Sequence, residues 1–167
     1  KGRGCQEQIV TLRLLMDYAV YKKTKLFVVY VDFSKAYDRV PRQSLLDALK
    51  KLGCGATMLT ALAKMYSNTQ MMLNDAVIMV SVGVRQGSPS SCFLFTLYVN
   101  ELIRSLKTSF PRDGFLQSIS CLMLMDDTVL LSTSRSKCLG KLKVLKSFCQ
   151  QSGMVLNAEK TKFMVVN

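Results

Sequence analysis

Apolar residues recur at helical spacing in several parts of the chain. Residues 6–22 carry such a stripe, made of Ile9, Leu12, Leu15, Met16 and Ala19. Similar patterns predict further helices over 41–52, 56–66, 90–106 and 136–152. Glycines that follow two of these stretches, at Gly53, Gly55 and Gly153, are expected to end the helices.

Continuous apolar runs of strand length lie between the helices. Residues 26–33, LFVVYVDF, predict a central strand that is buried on both faces. Two hairpins are expected, one within 69–82 around Asn74-Asp75 and one in which strands 117–125 and 128–133 meet at Asp126-Asp127. A short terminal strand pair is predicted at 154–156 and 163–166. This irregular alternation predicts an α+β fold with a largely antiparallel sheet, backed by helices.

The composition restricts the chemistry that the chain can perform. Its 167 residues include 23 Lys and Arg, 11 Asp and Glu, and no His, and the formal net charge is +12. The lack of His excludes Ser-His-Asp and Cys-His triads as well as His-ligated metals, so carboxylates or thiolates would have to hold any metal. The basic residues are concentrated in the first and last thirds of the chain. Either a surface tuned for solubility or a phosphate-rich partner such as nucleic acid would account for them.

Several sequence features bear on the cellular setting. None of the six cysteines forms a CxxC pair, which argues against a zinc ribbon. No run approaches the ~18 apolar residues of a membrane helix, and the N-terminus shows no signal-peptide pattern. No Pro/Gly/Ser-rich linker or repeat divides the chain. We therefore expect one continuous domain in an intracellular, reducing setting.

Three carboxylates end or interrupt apolar strands. Asp126 and Asp127 separate CLMLM from TVLLS, and Asp32 ends the run LFVVYVDF. Surface turns and strand ends can also hold aspartates that have no function. This alternative stays open for Asp32 and for Asp126-Asp127 when each is considered alone. If the strands are neighbours, the three side chains converge at one edge of the sheet. Such oxygen ligands suit Mg²⁺, and two ions about 3.5–4 Å apart can support in-line phosphoryl transfer.

Two further segments combine polar residues with turn-forming ones. GVRQGSP, at 83–89, has two glycines and Arg85 just before a long helix, a pattern suited to close approach of a nucleotide or template strand. It lacks the P-loop spacing, and a tight strand-to-helix turn is the alternative. The second segment is GMVLNAEKTKF, at 153–163, which places Asn157, Lys160 and Lys162 after a glycine that ends a helix. The alternative is a polar hairpin whose lysines are simply solvated.

Taken together, these segments resemble the reverse transcriptase family. Four blocks occur in that family's order, namely FVVYVDFSKAYDRV (27–40), GVRQGSPSSCFLFTLYVNEL (83–102), LMDDTVLLS (124–132) and GMVLNAEKTKF (153–163). DFSKAYDRV, the RQGSP loop and RGCQEQI at 3–9 are more similar to the non-LTR (LINE-type) retrotransposon branch than to the retroviral one. The resemblance covers nearly the whole chain.

The resemblance implies a polymerase palm and a role for each matching residue. Asp32 and Asp126 would bind two Mg²⁺ ions, for which Mn²⁺ can substitute, with Asp127 beside them as the third catalytic carboxylate. Tyr37 matches the aromatic gate that rejects a ribose 2′-hydroxyl, and Lys160 matches a lysine proposed to donate a proton to pyrophosphate. The remaining matches lie near the incoming nucleotide or template, at Phe33, Arg85, Gln86 and Gly87. Lys1 and Arg3 fall near a fingers segment that touches triphosphate.

The family also implies partners and surroundings. The expected partners are an RNA template, a DNA primer and a deoxynucleoside triphosphate, with no membrane. Residues 1–25 would end the fingers and 26–167 would form the palm, while a thumb and most of the fingers are expected in a larger polyprotein. A retrotransposon protein of this type would work in the nucleus and cytoplasm.

Some residues depart from the family pattern and keep alternatives open. Leu124 and Met125 precede the paired aspartates where most relatives have an aromatic residue and Ala, and Ser88, Ser90 and Cys92 differ in the loop block. A decayed palm that acts as an RNA-binding scaffold is one alternative. A group II intron maturase-type reverse transcriptase, which shares the palm, is the other.

Overall fold

The computed structural model describes residues 4–74, 76–85 and 87–167. Its helices are α1 (Cys5–Tyr21), α2 (Arg42–Lys51), α3 (Ala56–Ser67), α4 (Pro89–Ser109) and α5 (Arg135–Ser152), with short 3₁₀ turns at Tyr37–Arg39 and Gly114–Leu116. Its strands are β1 (Leu26–Val31), β2 (Gln70–Leu73), β3 (Ala76–Met79), β4 (Cys121–Leu124), β5 (Asp127–Ser132) and β6 (Lys162–Val166). The predicted α+β class is confirmed.

An antiparallel four-stranded sheet with the order β4-β5-β1-β6 forms the centre of the fold. In β1, Val29 and Val31 belong to the large core that α2, α3, α4 and α5 build on one face. Leu26 and Val28 face a smaller core, to which Ala19 of α1 contributes. The continuous apolar run in the sequence therefore reflects a strand that is covered on both faces, as predicted.

Two predicted strand assignments are wrong. Residues 154–156 and 163–166 do not pair with each other, because β6 pairs along β1 while Leu156 bridges Phe33 just beyond the end of β1. The strand expected from 117 begins only at Cys121. A closed turn takes up the preceding residues, since the N–H of Asp113 donates to the carbonyl oxygen of Gln117 over 3.0 Å and Gln117 has φ +51°.

A buried ion pair, which the sequence patterns did not indicate, ties α5 to the β5 side of the fold. The Nζ of Lys141 lies 2.7 Å from Oδ2 of Asp113, and both side chains are inaccessible to solvent. Thr133 donates its hydroxyl to the same carboxylate over 2.6 Å, and Lys141 also donates to the carbonyl oxygen of Leu131. Burial alone would raise the pKa of Asp113, but the hydrogen bonds from Lys141 and Thr133 outweigh burial and hold that pKa below its usual value.

Within the ranges that the structure describes, none of the helices combines the length and the apolar character needed to span a bilayer.

Candidate active site

The register of the sheet brings the three predicted carboxylates to one edge. β1 and β5 are antiparallel, with Val31 paired to Thr128. One step further along this register, Asp32 follows β1 and Asp127 begins β5. Asp126 lies next to them in the two-residue turn that joins β4 to β5, where Leu124 pairs with Asp127. The predicted convergence of strand ends is therefore found in the backbone.

The turn before the aspartates has an unusual backbone. Met125, its first residue, has φ +55°, in the left-handed region that residues with a side chain rarely occupy. Its side chain is exposed, whereas Asp126 is half-buried and Asp127 exposed. A strained turn that holds a half-buried carboxylate at a sheet edge is typical of functional sites.

The donor chemistry of this edge fits Mg²⁺, because carboxylate oxygens are its preferred protein ligands. Across the described ranges, however, no three acidic, cysteine or histidine side chains lie close enough together to hold a metal ion. The roles of Asp32, Asp126 and Asp127 as metal ligands therefore stay a prediction.

The segment after α5 is hydrogen-bonded to the backbone of Asp32. Asn157 donates its N–H to the carbonyl oxygen of Asp32 over 2.8 Å, and the N–H of Asp32 donates to Oγ1 of Thr161 over 3.3 Å. Lys160 lies between these two contacts, where its N–H donates to Oδ1 of Asn157. Lys160 is exposed, and its place in this turn puts it in the segment that fixes Asp32. Thr161 was missed by sequence reasoning, because nothing in the local pattern distinguishes it.

Tyr37 is held from two sides by helix α4. Its ring stacks on Phe95 with centroids 4.8 Å apart, and its hydroxyl donates to Sγ of Cys92 over 3.8 Å. Burial raises the pKa of Tyr37 to about 12, and the hydrogen bond to Cys92 and the negative charge of Asp126 act in the same direction.

The loop that begins at Gly83 is bound to the Tyr37 segment through the backbone. Gly83 donates its N–H to the carbonyl oxygen of Val40 over 2.8 Å, and Val84 donates to that of Tyr37 over 2.9 Å. Gly83 has φ +86°, and a Cβ there would lie 3.0 Å from the carbonyl oxygen of Asp38. Glycine is therefore favoured at this position both for its conformation and for the close approach.

Two arginines fasten the same loop to the end of α3. Arg42 donates through Nη1 to the carbonyl oxygens of Tyr66 and Val80, and through Nε to that of Gly83 over 3.1 Å. Arg85 donates through Nη2 to the carbonyl oxygen of Met65 over 3.0 Å. Burial lowers the pKa of Arg42, and the positive charge of Arg85 adds to that effect. Arg42 was missed because the sequence pattern does not distinguish it from an ordinary exposed arginine in the first turn of a helix.

The other residues that were predicted to contact the nucleotide lie in different environments. Phe33 has its side chain in the core, 5% exposed, and its backbone bridges Leu156. Gly87 is exposed with φ +80° and open space where a Cβ would lie. Gln86 falls outside the residues that the structure describes, as do Lys1 and Arg3. The nucleotide-binding roles of Phe33, Gly87 and Arg85 stay predictions.

Known proteins resemble this chain over most of its length. The family model described as "Reverse transcriptase (RNA-dependent DNA polymerase)" matches residues 1–167. The chain is 28% identical, over 165 residues, to a Pol polyprotein of the type-1 retrotransposable element R2 from Nasonia vitripennis, covering 94% of this chain and 16% of that protein. It is 30% identical over 142 residues to an R2 Pol polyprotein from Popillia japonica, covering 80% of this chain and 20% of that protein.

Solved structures show the same fold. A telomerase from Candida albicans, solved with a fragment of telomeric RNA, superimposes with a TM-score of 0.71 over 97% of this chain and 30% of that chain, at 15% identity. A Candida tropicalis telomerase gives 0.66 over 95% of this chain and 29% of that chain, at 16% identity. The chain thus spans about a fifth or less of the curated R2 relatives described above. With the family model matched from end to end, the chain belongs to the reverse transcriptase (RNA-dependent DNA polymerase) family.

Proposed function

We propose that this chain is the catalytic palm of an RNA-directed DNA polymerase that works in retrotransposition. The observation that carries the proposal is the β1–β5 register, which sets Asp32 beside Asp127 with Asp126 in the adjoining turn. The reaction is attack of a primer 3′-oxygen on the α-phosphorus of a deoxynucleoside triphosphate. A new P–O bond forms, the bond to the β-phosphate bridging oxygen breaks, and pyrophosphate leaves.

Asp32 and Asp126 are proposed to hold two Mg²⁺ ions, with Asp127 beside them, and Mn²⁺ is expected to substitute. The ions would supply charge stabilisation for the attacking and leaving oxygens. The protein's own contribution is positional, because Asn157 and Thr161 fix the backbone of Asp32 on both sides of its Cα. Lys160, in the same turn, is the proposed proton donor to the leaving pyrophosphate.

Tyr37 is proposed to select deoxyribose over ribose by its bulk. Its ring is braced by Phe95 and its hydroxyl by Cys92, so the ring cannot swing away to admit a 2′-hydroxyl. With its pKa raised to about 12, the phenol stays neutral at physiological pH and adds no charge beside the carboxylates. The incoming nucleotide and template are proposed to pass along the loop that carries Arg85, Gln86 and Gly87, with the backbone of Phe33 at the floor.

The partners follow from the same proposal. They are an RNA template, a DNA primer, a deoxynucleoside triphosphate and the remaining fingers and thumb of a larger protein, in the nucleus and cytoplasm. The R2 relatives are themselves polyproteins, of which the matching segment is a minor part.

An RNA-binding scaffold on a decayed palm is the second candidate. Leu124 and Met125 favour it, because they depart from the family pattern before the paired aspartates. The second support is that, in the described parts of the chain, no three acidic or cysteine side chains lie close enough together to hold a metal ion. A polymerase binds RNA and incorporates nucleotides, whereas the scaffold binds RNA without incorporating them.

The experiment that separates them is incorporation of labelled dTTP on an oligo(dT)-primed poly(rA) template, with and without Mg²⁺. It should use the longest protein that contains this chain. A polymerase extends the primer only when both the metal and the RNA template are present. RNA binding without incorporation, in either condition, would contradict the polymerase and support the scaffold.

A further inference from the structure

Helix α5 has an outer face that is basic and lies apart from the proposed catalytic edge. The helix carries five basic residues and no acidic one. Two of the five are used internally, since Lys141 and Lys137 both contact Asp113. The other three are exposed, and we call them the α5 basic face: Arg135, Lys143 and Lys146.

The three side chains lie on one side of the helix. At 3.6 residues per turn, Arg135, Lys143 and Lys146 fall within an arc of about 80°, roughly opposite the residues that pack inward. Those inward residues are Cys138, Lys141, Leu145, Phe148 and Ser152. Because α5 packs its buried stripe on the sheet, the α5 basic face points away from the sheet that carries the aspartates.

In the part of the chain that the structure describes, ion pairs do not compensate the charges of this face. Among residues 4–74, 76–85 and 87–167, none of the three basic side chains forms an ion pair. Two acidic groups near α5 besides Asp113, namely Asp47 and Glu101, line a groove at its other flank together with Gln151. The helix is also firmly held, because Ser134 caps its start and Gly153 ends it with φ +70°. A fixed row of free cations is suited to bind an anion without being reorganised.

The spacing of the charges selects an extended polyanion. From Arg135 to Lys146 the helix rises about 17 Å, too far for the three cations to converge on one phosphate group. A membrane surface is a poor match, because a helix lying in a membrane interface presents a broad apolar face. Here the apolar face is turned into the core, and Leu139, 50% exposed, is the large apolar side chain among the three cations.

We propose that the α5 basic face binds the phosphate backbone of RNA, as a second RNA contact outside the site where nucleotides are joined. The inference takes from the proposed function only that RNA is the partner. Such a contact would hold the RNA on the protein while the primer end moves through the catalytic edge, and it would be independent of nucleotide sequence.

The test is the salt dependence of binding to a fluorescein-labelled, mixed-sequence single-stranded RNA, measured by anisotropy at a series of KCl concentrations. The variant combines Arg135→Gln, Lys143→Gln and Lys146→Gln. Its control removes the same charge from exposed positions elsewhere, through Lys23→Gln, Lys25→Gln and Lys64→Gln. All six side chains are exposed, and circular dichroism with thermal unfolding verifies that both variants fold.

With about 0.7 counterions released per phosphate contact on a single strand, the α5 variant should lose about two units of salt slope and about 100-fold in affinity near 0.1 M salt. The control should lose much less. Equal losses in both variants, or an unchanged α5 variant, would overturn the proposal. So would binding to phosphatidylserine vesicles that weakens in the α5 variant while RNA binding does not.

Primer extension by the unmodified protein separates this proposal from the proposed function. If extension fails while RNA affinity still depends on the α5 basic face, the polymerase proposal is wrong and the RNA contact stands. If extension proceeds and RNA affinity is the same in all three proteins, the RNA contact is wrong and the polymerase proposal stands.

Discussion

Val84 donates its backbone N–H to the carbonyl oxygen of Tyr37 over 2.9 Å. This bond, with the parallel one from Gly83 to Val40, joins two segments that are more than forty residues apart in sequence. One segment follows Asp32 and carries the aromatic ring of Tyr37, while the other begins the loop with Arg85. The geometry of the proposed nucleotide site therefore depends on backbone contacts between the two segments.

Replacing Gly83 by Ala should disturb this junction. Alanine in the left-handed conformation of this position costs about 1–2 kcal/mol of stability. Its Cβ would also lie 3.0 Å from the backbone of Asp38, which is too close for an unstrained contact. Gly53→Ala is the matched control, because Gly53 has φ +88° but open space around it. In urea unfolding Gly83→Ala should lose more stability than Gly53→Ala, and it alone should raise the KM for the nucleotide. Equal losses of stability and an unchanged KM would show that the close approach is unimportant.

Arg42 should contribute more to stability than an ordinary helix arginine. Arg42→Met removes three hydrogen bonds to carbonyl oxygens, so we expect it to lower the free energy of unfolding by about 2–3 kcal/mol. Arg42→Lys keeps the charge but lacks the planar guanidinium, so its stability should fall between those of the unmodified protein and Arg42→Met. Arg39→Met, at an exposed position, should change stability by less than about 0.5 kcal/mol. Denaturant midpoints of the three variants measure this, and an Arg42→Met variant no weaker than Arg39→Met would contradict it.

Lys141→Met should destabilise the fold strongly. It leaves the fully buried Asp113 without its closest cation, and breaking a buried ion pair costs about 3–5 kcal/mol. Lys137→Met, which removes a partly exposed partner of the same carboxylate, should cost about 1 kcal/mol or less. Combining Lys141→Met with Asp113→Leu should recover much of the loss. A double variant as unstable as Lys141→Met alone would show that the loss arises from packing.

The same carboxylate predicts a pH dependence of stability. Because the pKa of Asp113 is lower in the folded state than in the unfolded one, its contribution is fully present above the ordinary carboxyl pKa of about 3.9. That contribution is lost as the pH falls through the lower, folded value. Urea midpoints measured across the acidic range should fall more steeply for the unmodified chain than for Asp113→Asn, and parallel curves would disprove the assignment.

Sugar selection should follow the ring of Tyr37. Tyr37→Ala opens space beside the ribose and should lower the preference for deoxynucleotides by about 10–100-fold, a loss of the order that one steric contact supplies. Tyr37→Phe keeps the stack on Phe95, removes only the hydrogen bond to Cys92, and should keep the preference. The ratio of kcat/KM for dTTP and UTP measures this. A Tyr37→Phe variant that accepts UTP like Tyr37→Ala would show that the hydroxyl, not the bulk, discriminates.

Sequence reasoning found those parts of the site that depend on local patterns. Asp32 and the Asp126-Asp127 pair stand out because each breaks an apolar strand, and antiparallel pairing of those strands is enough to bring them to one edge. Arg42, Thr161 and the pair of Asp113 with Lys141 could not be found in this way. Their partners lie 24 to 129 residues away in the chain and are often carbonyl groups, which carry no signal in the sequence. The pairing of β6 was missed for the same reason, because a short apolar strand does not identify its neighbour.

Primer extension with Asp126→Ala tests the central claim most directly. The comparison is with Asp17→Ala, which removes an exposed aspartate that forms a surface ion pair with Arg13. If the carboxylate edge is the polymerase centre, Asp126→Ala should lower Mg²⁺-dependent incorporation of dTTP on poly(rA) by at least about 1,000-fold, the scale of losing a principal catalytic group. Asp17→Ala should extend the primer like the unmodified protein. Normal extension by Asp126→Ala would contradict the proposed site.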